Sequence, residues 1–206
     1  MIMMVVFSIS CDHDKGTKKT LQTGSLLEVY EKLGTIHVIP MGRVNPSVLN
    51  QVKSALENFY QRPVKVLSPL KVSGNLRRTP GSRYNADSIL KYYRQRFQAI
   101  VVTSHDITIY DSAKKADWGI FGWGKKPGKI CVISAYPARI GKDVSEKILL
   151  SRIRKVAIHE VGHNLGLKHC TKDITCAMHA ANKKASQIDK EKEMFCENCK
   201  RELLKL

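Results

Sequence analysis

The chain has 206 residues, of which 43% are hydrophobic and 26% are charged. This composition is typical of a globular protein with one sizeable core, and it excludes collagen-like, disordered and polytopic membrane proteins. Lys and Arg outnumber Asp and Glu by 35 to 18, which leaves a formal net charge of +17 at pH 7. Such a surplus favours encounter with anionic partners, such as acidic peptides, nucleic acid or anionic lipid. No apolar run in the sequence approaches the roughly 18 residues that a membrane span requires.

The first 34 residues are predicted to form a tail outside the folded domain. Residues 1–10 are almost wholly apolar, Cys11 follows them, and residues 12–23 are polar. A frayed tail on a cytoplasmic protein is the favoured interpretation, because the apolar run is short for an export signal and no basic region precedes it. The alternative is a degenerate export segment with lipid attachment at Cys11.

From residue 35 to residue 166 the hydrophobic pattern alternates between strands and helices. β-branched runs that end at turn residues predict strands at 35–39, 64–67, 99–103 and 130–134. Helical spacing of apolar residues predicts helices at 46–61, 85–97 and 143–165. A loop is predicted at 70–84 and a Gly- and Trp-rich extended segment at 118–124. The alternation predicts an α/β (α+β) fold, with a mixed, twisted sheet and packed helices.

Capping residues indicate where two of these helices begin. Asn45 followed by Pro46 is typical of a helix start, because Asn caps the first turn and Pro fits the first helical position. Asp143, with Glu146 three residues later, resembles a capping box and predicts the start of the long helix.

The composition changes after Gly166, where Cys, His and Lys become frequent and aliphatic residues become rare. Residues 167–206 are therefore predicted to form a small subdomain without a conventional core, which a metal ion or disulfides must stabilise. Residues 35–206 then form a single domain, divided into an N-terminal subdomain, 35–166, and a Cys-rich C-terminal subdomain, 167–206.

Residues 159–169 carry three histidines in the pattern HExxHxxGxxH. Positions four apart lie on one face of a helix, so the imidazoles of His159 and His163 can bind one ion. Gly166 suits the left-handed conformation that ends a helix, and the chain can then bring His169 to the same ion. Three neutral imidazoles leave the fourth position of a zinc ion open for water, as a hydrolytic site requires.

Glu160 follows the first of these histidines and is interpreted as a general base and acid, not as a metal ligand. In this position it can take a proton from a zinc-activated water molecule. An exposed helix with incidental histidines is the weaker interpretation, because three histidines with the intervening glycine are far more specific than HExxH alone.

Four cysteines beside the histidines indicate a second metal site, of the structural kind. Four thiolates with no open position are typical of structural zinc. A redox-active CxxC motif and disulfides remain alternatives at this point. The four residues are Cys170, Cys176, Cys196 and Cys199.

The segment 159–199 resembles the archaemetzincins, a family of metallopeptidases related to the metzincins. The shared pattern is HExxHxxGxxHC, then C-x-M at Cys176 to Met178, then CxxC after seventeen residues. One departure is that five residues, instead of the usual four, separate Cys170 from Cys176. The resemblance implies a metzincin-like fold with a long active-site helix, and it implies that Met178 is the methionine packed beneath the three histidines. Together with Gly166, Met178 is expected to support the site structurally.

Other residues near these motifs receive weaker assignments. Trp118, Phe121 and Trp123 either line the rim of a substrate cleft or are ordinary edge-strand aromatics. His179 is expected to be a surface or packing residue, and neither His37 nor His105 is expected to bind metal.

These observations predict a zinc metallopeptidase that hydrolyses peptide bonds through a zinc-activated water, with Glu160 as general base and acid. It is expected to bind two Zn²⁺ ions per chain, one catalytic and one structural. The expected partners are peptide or protein substrates, including acidic ones, with no nucleic acid, no transmembrane span and a monomeric state. The alternatives are a zinc-stabilised basic module that binds nucleic acid, and a peptidase-like protein of restricted activity.

Overall fold

The computed structural model of the chain describes residues 25–77, 82–111, 116–139, 144–181 and 184–206. Within these ranges the helices are α1 (Leu26–Glu31), α2 (Pro46–Tyr60), α3 (Ala86–Tyr92), α4 (Glu146–Asn164), α5 (Ala185–Lys190) and α6 (Glu197–Leu203). The strands are β1 (Ile36–Met41), β2 (Val64–Val66), β3 (Tyr84–Asn85), β4 (Ala99–Thr103), β5 (Ile107–Asp111), β6 (Ala116–Ile120), β7 (Gly122–Gly124) and β8 (Ile130–Ser134).

The main sheet has five strands in the order β2-β1-β4-β8-β7. The first four are parallel to one another, and β7 runs antiparallel to β8 at the edge. This mixed sheet, with helices packed on it, confirms the predicted fold class.

Strand β4 shows how this sheet divides the core. Its residues Ile100 and Val102 belong to the cluster formed with α2 and α4, whereas Val101 belongs to the cluster formed with α3. All five residues of β4 are buried. A central parallel strand that is covered on both faces has a continuously apolar sequence, and this is why the strand could be predicted.

A second, smaller sheet contains β3, β5 and β6. The sequence analysis predicted only one part of it, the extended segment at 118–124, which overlaps the end of β6 and continues into β7 of the main sheet. Strand β5 pairs in parallel with β3 and antiparallel with β6. Strand β3 has only two residues, at the boundary between the predicted loop 70–84 and the predicted helix 85–97. A strand of two residues carries too little periodicity to be distinguished from a loop.

The predicted helices differ from the observed ones mainly at their ends. Helix α2 agrees closely, and the side chain of Asn45 accepts a hydrogen bond from the backbone N–H of Ser47 at 2.8 Å. Helix α3 ends at Tyr92, five residues earlier than predicted. Helix α4 is capped by Ser145, whose hydroxyl accepts from the N–H of Ile148 at 3.3 Å, so the predicted start at 143 was too early. Asp143 itself lies outside the described residues.

The predicted boundary between tail and domain at residue 34 was too late. Ser25 and Glu28 form a capping box that starts α1, with hydrogen bonds of 3.3 and 3.0 Å between side chains and backbone. Val29, Tyr30 and Leu33 are at most 8% exposed and belong to the main core cluster. Residues 25–34 are therefore part of the fold, whereas residues 1–24, with Cys11, lie outside the described residues.

The Cys-rich C-terminal segment has more apolar packing than its composition suggested. Phe195 and Leu203 are buried in the same core cluster as α2 and α4, and the Phe195 ring packs edge-on against Phe59 at 4.8 Å between centroids. These side chains extend the main core, so the segment contributes to that core without a separate core of its own. Four other large apolar side chains of the segment stay exposed: Ile174, Met194, Leu204 and Leu206. Among the described residues, no helix combines the length and apolarity needed to cross a bilayer.

A chain that begins at residue 35 should be less stable than one that begins at residue 24. Its free energy of unfolding in urea should fall by at least about 3 kcal/mol, because each fully buried side chain of this size contributes about 1.5–3 kcal/mol. Leu27→Ala is the control, since Leu27 is 56% exposed on the same helix. Equal stability of the two chains would show that α1 does not contribute to the fold.

Candidate metal centre and active-site cleft

The three predicted histidines converge at the C-terminal end of α4. His159 and His163 lie one turn apart, with ring centroids 4.6 Å from each other. The helix ends after them, and Gly166 adopts a positive φ of 108° that lets the chain turn back. His169 then brings its Nε2 atom to 3.1 Å from Nε2 of His163. The ligand atoms of the three residues all lie within 4.8 Å of one another, so this group could hold a metal ion.

Backbone carbonyls orient two of the imidazoles. Nδ1 of His159 lies 2.7 Å from the carbonyl oxygen of Ala177, and Nδ1 of His163 lies 2.7 Å from that of Leu167. A carbonyl can only accept, so Nδ1 carries the proton and the lone pair of each ring is on Nε2. This is the arrangement that zinc-binding histidines require.

Burial keeps the same imidazoles neutral. It lowers the pKa of His159 to about 3 and the pKa of His163 to about 4. Burial also lowers the pKa of His169. Neutral imidazole is the form that binds metal, so the environment of these residues fits a zinc ion.

Glu160 is held against strand β7, beside the histidines. Its side chain is only 6% exposed, and burial raises its pKa to about 8. A Cβ atom at Gly122 would lie 2.6 Å from Oε1 of Glu160, so the strand can approach the carboxylate only because this residue is glycine. Oε2 of Glu160 is buried and has no hydrogen-bond partner. A buried carboxylate oxygen without a partner is costly, and it indicates that a group absent from the chain itself binds there.

Met178 lies beneath this group of residues, where the resemblance to the archaemetzincins placed it. Met178 is fully buried. Its Sδ atom packs so closely against Gly162 of the active-site helix that a Cβ atom added at Gly162 would lie only 2.5 Å from it. The backbone N–H of Cys170 donates to the Met178 carbonyl at 2.7 Å. Met178 therefore contacts the active-site helix. Through its hydrogen bond with Cys170, the residue after His169, it also links the third histidine to the turn that contains Met178.

The four cysteines form a second group whose Sγ atoms lie within 4.8 Å of one another. The Sγ–Sγ distances are 3.6 Å between Cys170 and Cys196 and 3.7 Å between Cys176 and Cys199. A tetrahedral zinc ion with Zn–S bonds of about 2.3 Å would separate its sulfurs by about 3.8 Å, so the four residues fit such an ion.

The same distances exclude the alternative of disulfides, because a disulfide needs an S–S separation of about 2.05 Å. Each of the four cysteines is a free thiol. A redox pair formed by CxxC alone would also leave Cys170 and Cys176 unexplained, and both belong to the cluster.

Hydrogen bonds favour the thiolate form of one member of this cluster. A 3.7 Å hydrogen bond joins the sulfurs of Cys176 and Cys199, and the backbone N–H groups of Cys196 and Met178 donate to the Cys176 sulfur at 3.3 and 3.5 Å. Together they lower the pKa of Cys176 to about 5. A thiolate that accepts backbone N–H groups is the form that binds zinc.

A cleft of about 260 Å³ opens onto the histidines. Phe121 and Trp123 line it, as one of the two interpretations expected, whereas Trp118 does not. The indole N–H of Trp123 donates to Asp87 at 3.0 Å, which fixes the ring at the cleft wall.

Three further polar residues that line this cleft were not assigned to it from the sequence. They are His179, Lys126 and Glu191. His179 was expected at the surface or in packing, but its Nδ1 lies 3.1 Å from the Cys170 carbonyl and its ring faces the cleft. No sequence motif marks Lys126 or Glu191, because they come from loops that only the packing brings together.

The other two histidines within the described residues, His37 and His105, lie elsewhere. The His37 ring packs on Phe97, with 4.1 Å between centroids, and the His105 ring packs on Tyr84, with 4.9 Å. Neither of them lines the cleft.

Together these features define a zinc-dependent metallopeptidase. On a mixed sheet, two histidines of the active-site helix converge with a third from the segment that follows, and a buried glutamate lies beside them. The model of peptidase family M54 matches residues 26–205 of the chain. The chain therefore belongs to peptidase family M54.

Individual relatives agree with this family. The archaemetzincin of Pyrococcus abyssi is 30% identical over 183 residues, which cover 84% of this chain and 96% of that protein. The archaemetzincin of Pyrococcus furiosus is 29% identical over 177 residues, which cover 82% and 91% of the two chains. The resemblance to the archaemetzincins is confirmed.

Solved structures show the same fold. The crystal structure of archaemetzincin from Archaeoglobus fulgidus has a TM-score of 0.68 at 27% identity, and the match covers 80% of this chain and 97% of that one. A zinc-dependent peptidase from Methanocorpusculum labreanum has a TM-score of 0.66 at 21% identity, covering 82% and 99%.

Gly122→Ala should impair peptide hydrolysis without removing zinc. The added methyl group would displace the Glu160 carboxylate, and a misplacement of about 1 Å in a catalytic group can cost about a hundredfold in rate. The measurements are kcat on a peptide substrate and zinc content by mass spectrometry. Gly119→Ala is the matched control, because its new Cβ would meet only ordinary contacts at 3.6 Å or more. Full activity of Gly122→Ala would contradict the assigned position of Glu160.

Proposed function

We propose that His159, His163 and His169 bind the catalytic zinc ion and that Glu160 is the general base and acid of peptide hydrolysis. The observation that carries the proposal is the position of Glu160. Its carboxylate has a buried, unpartnered oxygen and lies next to three imidazoles whose Nε2 atoms converge. These imidazoles would hold a zinc ion, and that ion would supply Lewis-acid chemistry toward the peptide carbonyl.

The chain's own residues then move the proton. Glu160 accepts a proton from the attacking water molecule and donates it to the nitrogen of the leaving group. Strand β7, which contains Gly122, packs against the carboxylate and holds it in one place. Burial raises the pKa of Glu160 to about 8. A base with a pKa near the working pH is suited to take a proton and to give it back.

Strand β7 is proposed to bind the main chain of the substrate. It is the terminal strand of the main sheet, so one of its edges is not paired within the described sheet. An extended peptide can add to such an edge as a further strand, with its scissile bond near the histidines. Phe121 and Trp123 would flank this peptide.

The four cysteines are proposed to bind a second, structural zinc ion, giving two per chain. Met178 and Gly166 support the catalytic group by packing and by ending the helix. We further propose a monomer that acts on peptides, including acidic ones, since the net charge is +17. Free thiols in a structural cluster are typical of a reducing compartment, which supports the cytoplasm as the location.

The nucleic-acid module is the less well supported alternative. A structural or binding module has no use for a buried glutamate beside a three-histidine group with an open ligand position, whereas a hydrolase needs both.

Glu160→Gln and Glu160→Ala should each retain zinc and lose hydrolysis. The rate should fall by about 10²–10⁴-fold, which is the usual contribution of a positioned general base. Cleavage of a peptide library and the zinc content of each variant are the measurements. Glu197→Gln, at an exposed position on α6, is the control. Undiminished cleavage by Glu160→Gln would end the assignment.

The two metal ions should differ in their response to removal. Elemental analysis should give two zinc ions per chain, and mild chelation should empty the histidine group first, because an open ligand position is accessible to a chelator. His163→Ala should lose activity and one zinc ion while it stays folded. Cys196→Ser should lower the unfolding temperature and solubility, whereas Cys131→Ala, at a buried cysteine outside the cluster, should keep both ions. A fully loaded protein with one zinc ion contradicts this arrangement.

A further inference from the structure

Glu191 is a buried acidic residue in the wall of the active-site cleft. It follows helix α5 directly and is 5% exposed. The same cavity that opens onto His159 and Glu160 is lined by Glu191. The cavity, at about 260 Å³, is smaller than the roughly 300–1,000 Å³ of typical small-molecule sites. A group that reaches Glu191 therefore occupies the same small cavity that His159 and Glu160 line.

One oxygen of the Glu191 carboxylate, Oε1, is buried and has no hydrogen-bond partner among the residues that the structure describes. The wall of the same cavity carries apolar residues, among them Val156, Ile188 and Ala181, as well as Lys126 and the histidines. Burial raises the pKa of Glu191 to about 8, against a smaller opposing effect of Lys155. A carboxylate in such a place is stabilised only when a hydrogen-bonding, preferably cationic, group reaches it.

The nearby Lys155 does not fill this role. Its Nζ atom instead donates to the backbone carbonyls of Ile188 and Asp189, at 3.0 and 3.3 Å, where α5 ends. Lys126 also lines the cleft, and no hydrogen bond or ion pair joins it to Glu191 among the described residues.

The backbone holds Glu191 firmly in the cleft wall. On one side, Arg152 on the active-site helix forms a bidentate ion pair with Asp189, with both N–O distances at 2.8 Å. On the other side, the N–H of Lys192 donates to the carbonyl of Thr175 at 2.7 Å. These two attachments, one on each flank, hold the backbone of Glu191 in the cleft wall.

We propose that Glu191 is a specificity-determining residue that binds a cationic group of the substrate, an ammonium or a guanidinium, beside the scissile bond. The inference rests on the proposed peptidase function of the same cleft. It names the substrate class as peptides with a basic group at that position. The cation comes either from an internal Lys or Arg side chain or from the free amino terminus of the peptide. The first source makes the enzyme an endopeptidase with a basic preference, and the second makes it an aminopeptidase.

The first test is equilibrium binding, which does not depend on turnover. Paired peptide hydroxamates carry either lysine or the uncharged, similarly long norleucine next to the zinc-binding group. The zinc-loaded protein should bind the lysine compound at least about tenfold more tightly, since a desolvated charge pair is worth that much or more. In Glu191→Gln, which keeps the side-chain shape, this ratio should fall to about one.

Glu193→Gln is the matched control for this experiment. Glu193 lies two residues further along the chain, outside the cleft, and pairs with Arg154 at 2.6 Å. It should keep the wild-type ratio. Zinc content and the unfolding temperature are measured for every variant, and Glu191→Met is a second neutral replacement should the glutamine variant be unstable.

The second test identifies the source of the cation. A random peptide library is digested with its amino termini free or acetylated, and cleavage sites are read by mass spectrometry. Cleavage beside internal Lys or Arg in both libraries supports the side-chain source. Cleavage of the first bond in the free library alone supports the amino-terminal source. In either case Glu191→Gln should lose the preference.

The inference is overturned if the hydroxamate ratio is near one in the wild type or survives in Glu191→Gln. It is also overturned if neutral amide side chains are preferred over basic ones. A failure of the peptidase proposal is seen separately. In that case no peptide of either library is cleaved by the zinc-loaded wild type, while the binding ratio still decides the role of Glu191.

Discussion

The active-site cleft depends on two hydrogen bonds that join ring nitrogens of α4 to backbone carbonyls. Nδ1 of His159 donates to Ala177 and Nδ1 of His163 donates to Leu167, each at 2.7 Å. They fix the tautomer and the direction of both imidazoles, so that Nε2 points to a common centre. The acceptor carbonyls belong to the segment after the helix, which means that this segment must be folded before the histidines can converge.

The catalytic group and the cysteine cluster are parts of one structural unit. His169 and Cys170 are adjacent, and the N–H of Cys170 donates to the carbonyl of Met178 beneath the histidines. Cys176 lies two residues before that methionine, and its sulfur accepts the Met178 N–H. Any ion that organises the cysteines therefore also positions the third histidine and the packing under the other two. The buried Phe195 adds an apolar anchor to the same unit.

The cleft combines opposite charges at different points of its wall. Lys126 comes from the turn after β7, and Glu191 comes from the end of α5. The overall charge of +17 governs how anionic molecules approach from a distance, whereas a single buried carboxylate governs what fits beside the scissile bond.

The sequence by itself determined the local parts of this protein. The spacing of His159, His163 and Gly166 is a property of one helix and its end, and the buried strand β4 was recognisable from its continuous apolar run. Only the tertiary structure decided which distant residues meet: Gly122 against Glu160, Glu191 in the cleft wall, and α1 in the core. The physical reason is that helical periodicity is set by covalent geometry within a few residues. Contacts between loops and strands far apart in sequence depend instead on how the whole core packs.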